Sequence, residues 1–158
     1  MVMAVSGMSQ TRWTTKNIPD NSGRTICITG ANSGLGLEAA RNLVGAGAHV
    51  IMACRNVEKA EAAAQSLRSG KGSVEVRQLD LASLASIRQF SEQLLADGIE
   101  LDGLMNNAGL MALDQSRTED GFETQIGVNH LGHYALTGLL LSSLMKRPNS
   151  RIVNVSSM

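Results

Sequence analysis

The fold of this chain is decided by one stretch near its N-terminus, Thr29-Gly30-Ala31-Asn32-Ser33-Gly34-Leu35-Gly36. A short apolar run at residues 25–28 precedes it and predicts a buried strand, while apolar residues recur at helical spacing from Leu37 to Val44. A helix that starts after such a turn presents unpaired N–H groups and the positive end of its dipole to the turn. The stretch therefore predicts a strand, a glycine-rich turn and a helix that together bind a diphosphate.

The glycines of this turn have separate predicted roles. Gly30 and Gly34 allow backbone angles and close approach that a Cβ would forbid, and Gly36 lets the helix lie close to the sheet. The alternative is a tight strand-to-helix turn that binds nothing, but the order of strand, turn and helix favours a binding site. The residues of the turn predicted to contact a cofactor are Gly30, Asn32, Ser33, Gly34, Leu35 and Gly36.

Composition limits the class of protein. With 158 residues, 43% of them apolar, the chain has the size and core of one domain, predicted at residues 23–158 behind a flexible N-terminal arm at residues 1–22. A net charge of zero without a basic run argues against nucleic-acid binding, and no apolar run is long enough to cross a bilayer. The arm does not resemble a signal peptide, and Cys27 and Cys54 suit buried, reduced thiols, so we expect a cytoplasmic protein.

Strand and helix patterns alternate along the rest of the chain. After the first strand and helix, further strands are predicted at residues 49–53, 74–79, 101–106 and 151–155, with a long helix at residues 120–145. This alternation predicts an α/β fold with a doubly wound parallel sheet, known as a Rossmann fold. Because the glycine turn follows the first strand, the expected strand order is 3-2-1-4-5, with the ligand crevice at the carboxyl ends of the strands.

The end of the second strand predicts which nucleotide binds. In a nicotinamide-binding fold this position faces the adenosine ribose, where a carboxylate suits a free 2′-hydroxyl and an arginine suits a 2′-phosphate. The strand carries no carboxylate at its end, and Arg55 follows it directly. We therefore expect NADP(H) rather than NAD(H), since a charge-assisted bond to phosphate is worth roughly 1.5–3 kcal/mol. A solvated arginine at a strand end is the alternative.

Two other strand ends offer cofactor contacts. The Asp80 carboxylate can accept a hydrogen bond from an adenine amino group and the Leu81 N–H can donate to a ring nitrogen, although Asp80 could instead cap the following turn. The fourth strand closes with Asn106 followed by Asn107, Ala108 and Gly109, a segment whose backbone can lie against the ribose. Asn106 could equally be a structural clamp between strands.

Together these motifs resemble the short-chain dehydrogenase/reductase family from about Arg24 to the last residue. The resemblance rests on the glycine turn, on Asp80-Leu81, on residues 106–109, on Asn129 in the long helix and on residues 151–157. Residues 52–55 and 127–133 look most like retinol dehydrogenase-like and WW-domain oxidoreductase-like members. Light-dependent protochlorophyllide reductases are the nearest alternative within the fold.

The resemblance implies an activity and the residues that carry it. NADP(H)-dependent members interconvert a small-molecule carbonyl and alcohol by hydride transfer, and full-length forms can pair as homodimers. Ser157 would be catalytic and hold the substrate carbonyl oxygen, and Asn129 would hold a relay water through its main-chain carbonyl. No metal is expected, because His130 and His133 lack a third ligand and are interpreted as packing or surface residues.

The chain departs from the family in one respect. The Tyr-x-x-x-Lys pair expected after the catalytic serine is missing, and Tyr134, the sole tyrosine, has Gly138 four residues on. We therefore expect a fragment, truncated after the fifth strand, that is poorly stable and inactive, with that strand as an exposed edge. The alternatives are a short NADP(H)-binding module without chemistry and a fragment of a protochlorophyllide reductase-like enzyme.

Overall fold

The computed structural model describes residues 13–156. Residues 1–12 of the predicted arm and the predicted catalytic Ser157 lie outside the described residues. Within the remainder of the arm, Thr15–Asn17 form a 3₁₀ turn, and Asn21 is buried with its N–H donating to the Ala46 carbonyl at 2.8 Å. The chain thus packs onto the domain before residue 23.

Five parallel strands form one sheet in the order β3-β2-β1-β4-β5, which confirms the predicted topology. The strands are β1 (Thr25–Thr29), β2 (His49–Cys54), β3 (Ser73–Gln78), β4 (Gly103–Asn106) and β5 (Arg151–Asn154). The helices are α1 (Gly34–Gly45), α2 (Val57–Gln65), α3 (Leu84–Ala96), α4 (Thr124–Ile126) and α5 (His133–Met145), and a π-helical segment (Gly127–Gly132) joins the last two. None of the helices in the described part of the chain is long and apolar enough to cross a membrane.

Apolar side chains cover both faces of the sheet, as a parallel sheet requires. On one face, α3 and α5 pack against the central strands through the buried Ile87, Phe90, Leu94, Leu136, Leu140 and Leu144. On the other face, α1 and α2 contribute Ala40, Val44, Ala60 and Ala64. Among the described residues β5 is an edge strand, and all of its residues are exposed.

The long helix starts later than its sequence predicts, so the prediction of a helix from residue 120 is wrong. Asp120 instead caps α3, where its carboxylate accepts from the Leu84 N–H at 2.8 Å. Glu123 is the true N-cap, because its two carboxylate oxygens accept from the Gln125 and Ile126 N–H groups, each at 2.8 Å. These bonds hold the pKa of Glu123 below its ordinary value.

Two glycines mark the ends of the π-helical segment in the long helix. Gly127 and Gly132 are the first and last residues of that segment, and two glycines inside a helix permit a local distortion. Gly132 is also a close contact point, since a Cβ there would lie 2.6 Å from the Leu81 carbonyl oxygen. The distortion therefore brings the helix against the loop that follows β3.

Candidate functional site

A crevice opens at the carboxyl ends of the strands, where two cavities of about 370 and 510 Å³ share residues 108–110. Predicted cofactor residues that line the first cavity are Gly30, Asn32, Arg55, Asp80, Leu81, Ala108 and Gly109. Those that line the second are Leu35, Asn107, Ala108 and Gly109. The fold thus brings segments from the ends of β1, β2, β3 and β4 to one place.

Part of the glycine turn lines this crevice: Gly30, Asn32 and Leu35 do, whereas Ser33, Gly34 and Gly36, also predicted to contact a cofactor, line neither cavity. Gly30 and Gly34 have φ values of +64° and +54°, which favour glycine, and a Cβ on Gly30 would lie 2.9 Å from the Ala108 Cα. Ser33 is the N-cap of α1, and its side chain makes no capping hydrogen bond. The first turn of α1 contains no acidic residue, so its N–H groups and dipole suit an anion.

Asn107 and Thr29 fasten the glycine turn to the loop after β4. The Asn107 side-chain amide donates to the Thr29 carbonyl at 2.9 Å and lies 3.4 Å from the Gly30 carbonyl. The Thr29 hydroxyl accepts from the Asn107 and Ala108 N–H groups, both at 2.9 Å. The Asn107 side chain therefore helps to shape the crevice. What a ligand can contact here is the main chain of Asn107, Ala108 and Gly109.

Asn106 serves as the structural clamp that the sequence allowed. Its side-chain amide donates to the Asn154 side-chain oxygen at 2.8 Å and to the Thr137 hydroxyl at 3.0 Å. These bonds join β4 to β5 and to α5. The Asn106 Oδ1 is buried and has no hydrogen-bond partner among the described residues.

The end of β2 carries two cations. Arg55 and Lys59 both line the first cavity and are exposed, and neither forms an ion pair with a described carboxylate. Asn56 between them caps α2, because its side-chain oxygen accepts from the Lys59 N–H at 2.8 Å. The sequence reading missed Lys59, although the Asn56 cap signal would have placed it in the first turn of α2, next to Arg55.

Asp80 fills the capping role, one of the two roles that the sequence left open, and keeps an acceptor free. One carboxylate oxygen accepts from the Ala82 N–H at 2.9 Å and so caps the following turn, while the Asp80 N–H donates to the Ser86 hydroxyl at 2.9 Å. The other carboxylate oxygen forms no hydrogen bond within the described residues. Half-buried beside Leu81 at the edge of the first cavity, Asp80 retains one acceptor for a ligand.

Asn129 lies in the π-helical segment and lines the second cavity together with Ser156, the last described residue. Its side chain forms two hydrogen bonds with Leu110: Oδ1 accepts from the Leu110 N–H at 2.9 Å, and Nδ2 donates to the Leu110 carbonyl at 2.8 Å. Its main-chain carbonyl is 3.1 Å from the His133 Nδ1.

Three further titratable groups, His133, Cys27 and Cys54, are buried. Burial lowers the pKa of His133, which is 6% exposed, so this residue is a packing histidine, one of the two kinds that the sequence predicted. His130 is exposed, as predicted. Burial raises the pKa of the Cys27 thiol to about 12 and also raises that of Cys54, so both thiols stay protonated. Within residues 13–156, no cluster of three side chains could hold a metal ion.

Known proteins share this sequence and geometry. The chain is 51% identical over 137 residues to retinol dehydrogenase 12 of Homo sapiens and 49% identical over 138 residues to human retinol dehydrogenase 13. These matches cover 85% and 86% of this chain but only 43% and 42% of the relatives. The chain therefore spans less than half the length of those curated relatives.

Solved structures show the same fold. A putative uncharacterized protein from Mycobacterium paratuberculosis superposes with a TM-score of 0.79 at 51% identity, covering 92% of this chain and 50% of that one. A metagenomic short-chain oxidoreductase in complex with NADP superposes with a TM-score of 0.78 at 29% identity, covering 88% of this chain and 64% of that one. The model of the family described as short chain dehydrogenase matches residues 24–158. The chain belongs to the short-chain dehydrogenase/reductase family, as its motifs predicted.

Proposed function

We propose that this chain binds NADP(H) in the crevice, in preference to NAD(H). The observation that carries the proposal is the pair of cations at the end of β2, Arg55 and Lys59, which have no carboxylate partner among the described residues. Their position after β2 is where a Rossmann fold meets the adenosine ribose, so they would hold a 2′-phosphate. One solved relative, the metagenomic oxidoreductase, is in complex with NADP.

The other crevice residues fit the rest of the dinucleotide. The α1 N-terminus, free of acidic residues, would hold the diphosphate, and the free Asp80 oxygen would accept from the adenine amino group. The Ala108 and Gly109 backbone would lie along the ribose on the nicotinamide side. When bound, NADP(H) supplies or accepts a hydride at the substrate carbon. The Asn129 carbonyl would hold a relay water, and Ser157 would hold the substrate oxygen.

The reaction of the whole protein is proposed to be interconversion of a small-molecule carbonyl and alcohol. Because its curated relatives are named retinol dehydrogenases, a retinoid is the first substrate to test. The 158 residues contain one tyrosine, Tyr134, which is 76% exposed on α5 and has no lysine four residues later. We propose that these residues by themselves bind the cofactor without turning over substrate.

The cofactor proposal is tested by titrating the chain with NADPH and with NADH. For Arg55→Ala we expect NADPH binding to weaken by roughly 10- to 100-fold, with NADH binding unchanged, because a charged hydrogen bond to phosphate is lost. Lys59→Ala should weaken NADPH binding in the same direction. The matched control is Arg68→Ala, since Arg68 pairs with Glu61 and lines neither cavity. Equal NADPH affinity in wild type and Arg55→Ala would contradict the proposal.

Turnover is tested separately, by following NADPH absorbance with all-trans-retinal as substrate. We expect no saturable oxidation of NADPH by the 158-residue chain, although the same sample binds NADPH. Saturable turnover would overturn the proposal that these residues bind the cofactor without catalysing a reaction. The assignment of NADP(H) as the cofactor would be unaffected.

A further inference from the structure

His133 connects two parts of the crevice that are far apart in sequence. It is the first residue of α5, and only 6% of it is exposed. One ring nitrogen, Nε2, lies 2.8 Å from the hydroxyl of Thr29, at the end of β1. The other, Nδ1, lies 3.1 Å from the main-chain carbonyl oxygen of Asn129, in the π-helical segment. Both nitrogens of this ring therefore have a partner.

The contacts of Thr29 decide which nitrogen carries the proton. The Thr29 oxygen already accepts from the N–H groups of Asn107 and Ala108, each at 2.9 Å, which occupies both of its lone pairs. Its own hydrogen must then donate, and the His133 Nε2 at 2.8 Å is closer than the Met105 carbonyl at 3.4 Å. Nε2 is thus an acceptor, and Nδ1 carries the hydrogen that it donates to Asn129.

An imidazolium would break this arrangement, since its Nε2–H would meet a hydroxyl oxygen without a free lone pair. Burial of the ring lowers the pKa of His133 and so favours the neutral form. The two partners matter for a ligand because Thr29 directly precedes Gly30 of the glycine turn, while Asn129 lines the second cavity. One neutral ring thereby connects β1, the loop after β4 and the π-helical segment.

We propose that His133, as its neutral Nδ1–H tautomer, is a positioning residue that holds Thr29, and with it the glycine turn, in the geometry that binds the dinucleotide. This inference rests on the proposed function. It assigns His133 no contact with cofactor or substrate. Its action goes through Thr29, while its bond to the Asn129 carbonyl fixes the tautomer and the orientation of the ring.

The tautomer is tested first, on the wild-type chain. Nitrogen-15 NMR of the histidine rings at pH 7 should show a protonated Nδ1 and an unprotonated Nε2 for His133, both without and with NADPH. A protonated Nε2, alone or together with a protonated Nδ1, would overturn the inference. This measurement needs no variant, so it decides the matter even if substitutions at position 133 prevent folding.

Two substitutions then separate the partners. His133→Gln places an amide near the position of Nε2 and can keep the bond to Thr29, whereas His133→Asn places an amide near Nδ1 and can keep the bond to Asn129. We expect NADPH to bind about tenfold more weakly to His133→Asn, where the anchor of the glycine turn is lost, and within about twofold of wild type to His133→Gln. The matched control is His130→Asn, a substitution of the exposed histidine in the same segment, which should bind NADPH like wild type.

A structural role alone would give a different pattern. Both variants would then unfold at lower urea concentration while their folded fractions bound NADPH as wild type does, and that result would overturn the inference. Equal weakening in both variants would also overturn it, because the turn would not depend on the Thr29 bond. If wild type itself bound no NADPH, the proposed function would fall, and the positioning role with it. That case is distinguishable because it needs no variant.

Discussion

At the scale of single residues, Gly36 shows how little space the cofactor turn leaves. It is buried at the start of α1, and a Cβ there would lie 2.7 Å from the Gly30 carbonyl oxygen and would also collide with the side-chain nitrogen of Asn107. That same nitrogen holds the Thr29 carbonyl. A methyl group at position 36 would therefore push apart the turn, the helix and the loop after β4 at once.

The first prediction follows from this contact. Gly36→Ala should destabilise the fold by about 1–3 kcal/mol, the usual cost of overpacking. It should also weaken NADPH binding, because the Asn107 side chain that holds the glycine turn is displaced. Gly34→Ala is the matched control: its Cβ would meet nothing within 4 Å, and its only cost is the positive φ of +54°. Urea unfolding and NADPH titration of both variants provide the measurement. Equal losses in the two variants would contradict the steric explanation.

His133 gives a pH dependence at the same scale. Its pKa in the folded chain is below the ordinary value because the ring is buried, so between the two pKa values the unfolded chain binds more protons. Stability from this residue is therefore complete above about pH 6.5 and is lost as the pH falls toward the folded-state pKa. The slope for one such group is at most about 1.4 kcal/mol per pH unit.

The measurement is urea unfolding between pH 8 and pH 5. His133→Gln should have a flatter profile than wild type over this range, since its side chain does not titrate. His130→Asn removes an exposed histidine and should leave the wild-type slope intact. A slope that survives in His133→Gln would show that another group is responsible.

The placement of a residue could be predicted from the sequence where the end of a strand fixes it. Arg55 and Asp80 line the first cavity because Arg55 directly follows β2 and Asp80 lies two residues after the end of β3. Lys59 was missed because its position depends on the helical phase of α2, and the bond between His133 and Thr29 could not be predicted because the two residues are distant in sequence. Thr29 is 104 positions away from His133, and no local pattern records that contact.

At the scale of elements, Gly132 and Gly138 show that glycines in the long helix can have opposite roles. Gly132 is buried against Leu81, whereas Gly138 is exposed in the middle of α5 and a Cβ there would meet nothing within 4 Å. Gly138→Ala should stabilise the chain by about 0.5–1 kcal/mol, because alanine loses less backbone entropy in a helix interior. Gly132→Ala should destabilise it by overpacking. Urea midpoints measure both, and a destabilised Gly138→Ala would contradict the prediction.

The start of the same helix shows why element boundaries are hard to predict. Asp is among the preferred N-cap residues and Glu is not, so N-cap preference in the sequence does not lead to Glu123. The tertiary structure uses Asp120 elsewhere, because its carboxylate accepts a hydrogen bond from the Leu84 N–H of α3, 36 positions away. Glu123 is then left to cap α4. The glycine pair around Asn129, in contrast, was interpretable, because two glycines inside an apolar helix pattern indicate a distortion.

At the scale of the whole molecule, the strand order could be predicted because the rules are global. Alternating strands and helices with right-handed crossovers leave few topologies, and the glycine turn after the first strand selects one of them. The two apolar clusters then follow, one on each side of the sheet. Apolar side chains on β5 and α5 nevertheless stay exposed among the described residues, including Ile152, Val153 and Met145. We therefore expect modest stability for the chain without a ligand.

A ligand that binds only the folded crevice should raise that stability. NADPH at 100 times its dissociation constant should add about 2.7 kcal/mol, which for a chain of this size corresponds to roughly 5–10 °C in Tm. NADH at the same concentration should give a smaller shift, because Arg55 and Lys59 would find no 2′-phosphate. Thermal unfolding of wild type and Arg55→Ala with each nucleotide measures the difference. Arg55→Ala should lose most of the NADPH shift while keeping the NADH shift. Equal shifts by both nucleotides in wild type would contradict the NADP(H) preference and leave the Rossmann fold untouched.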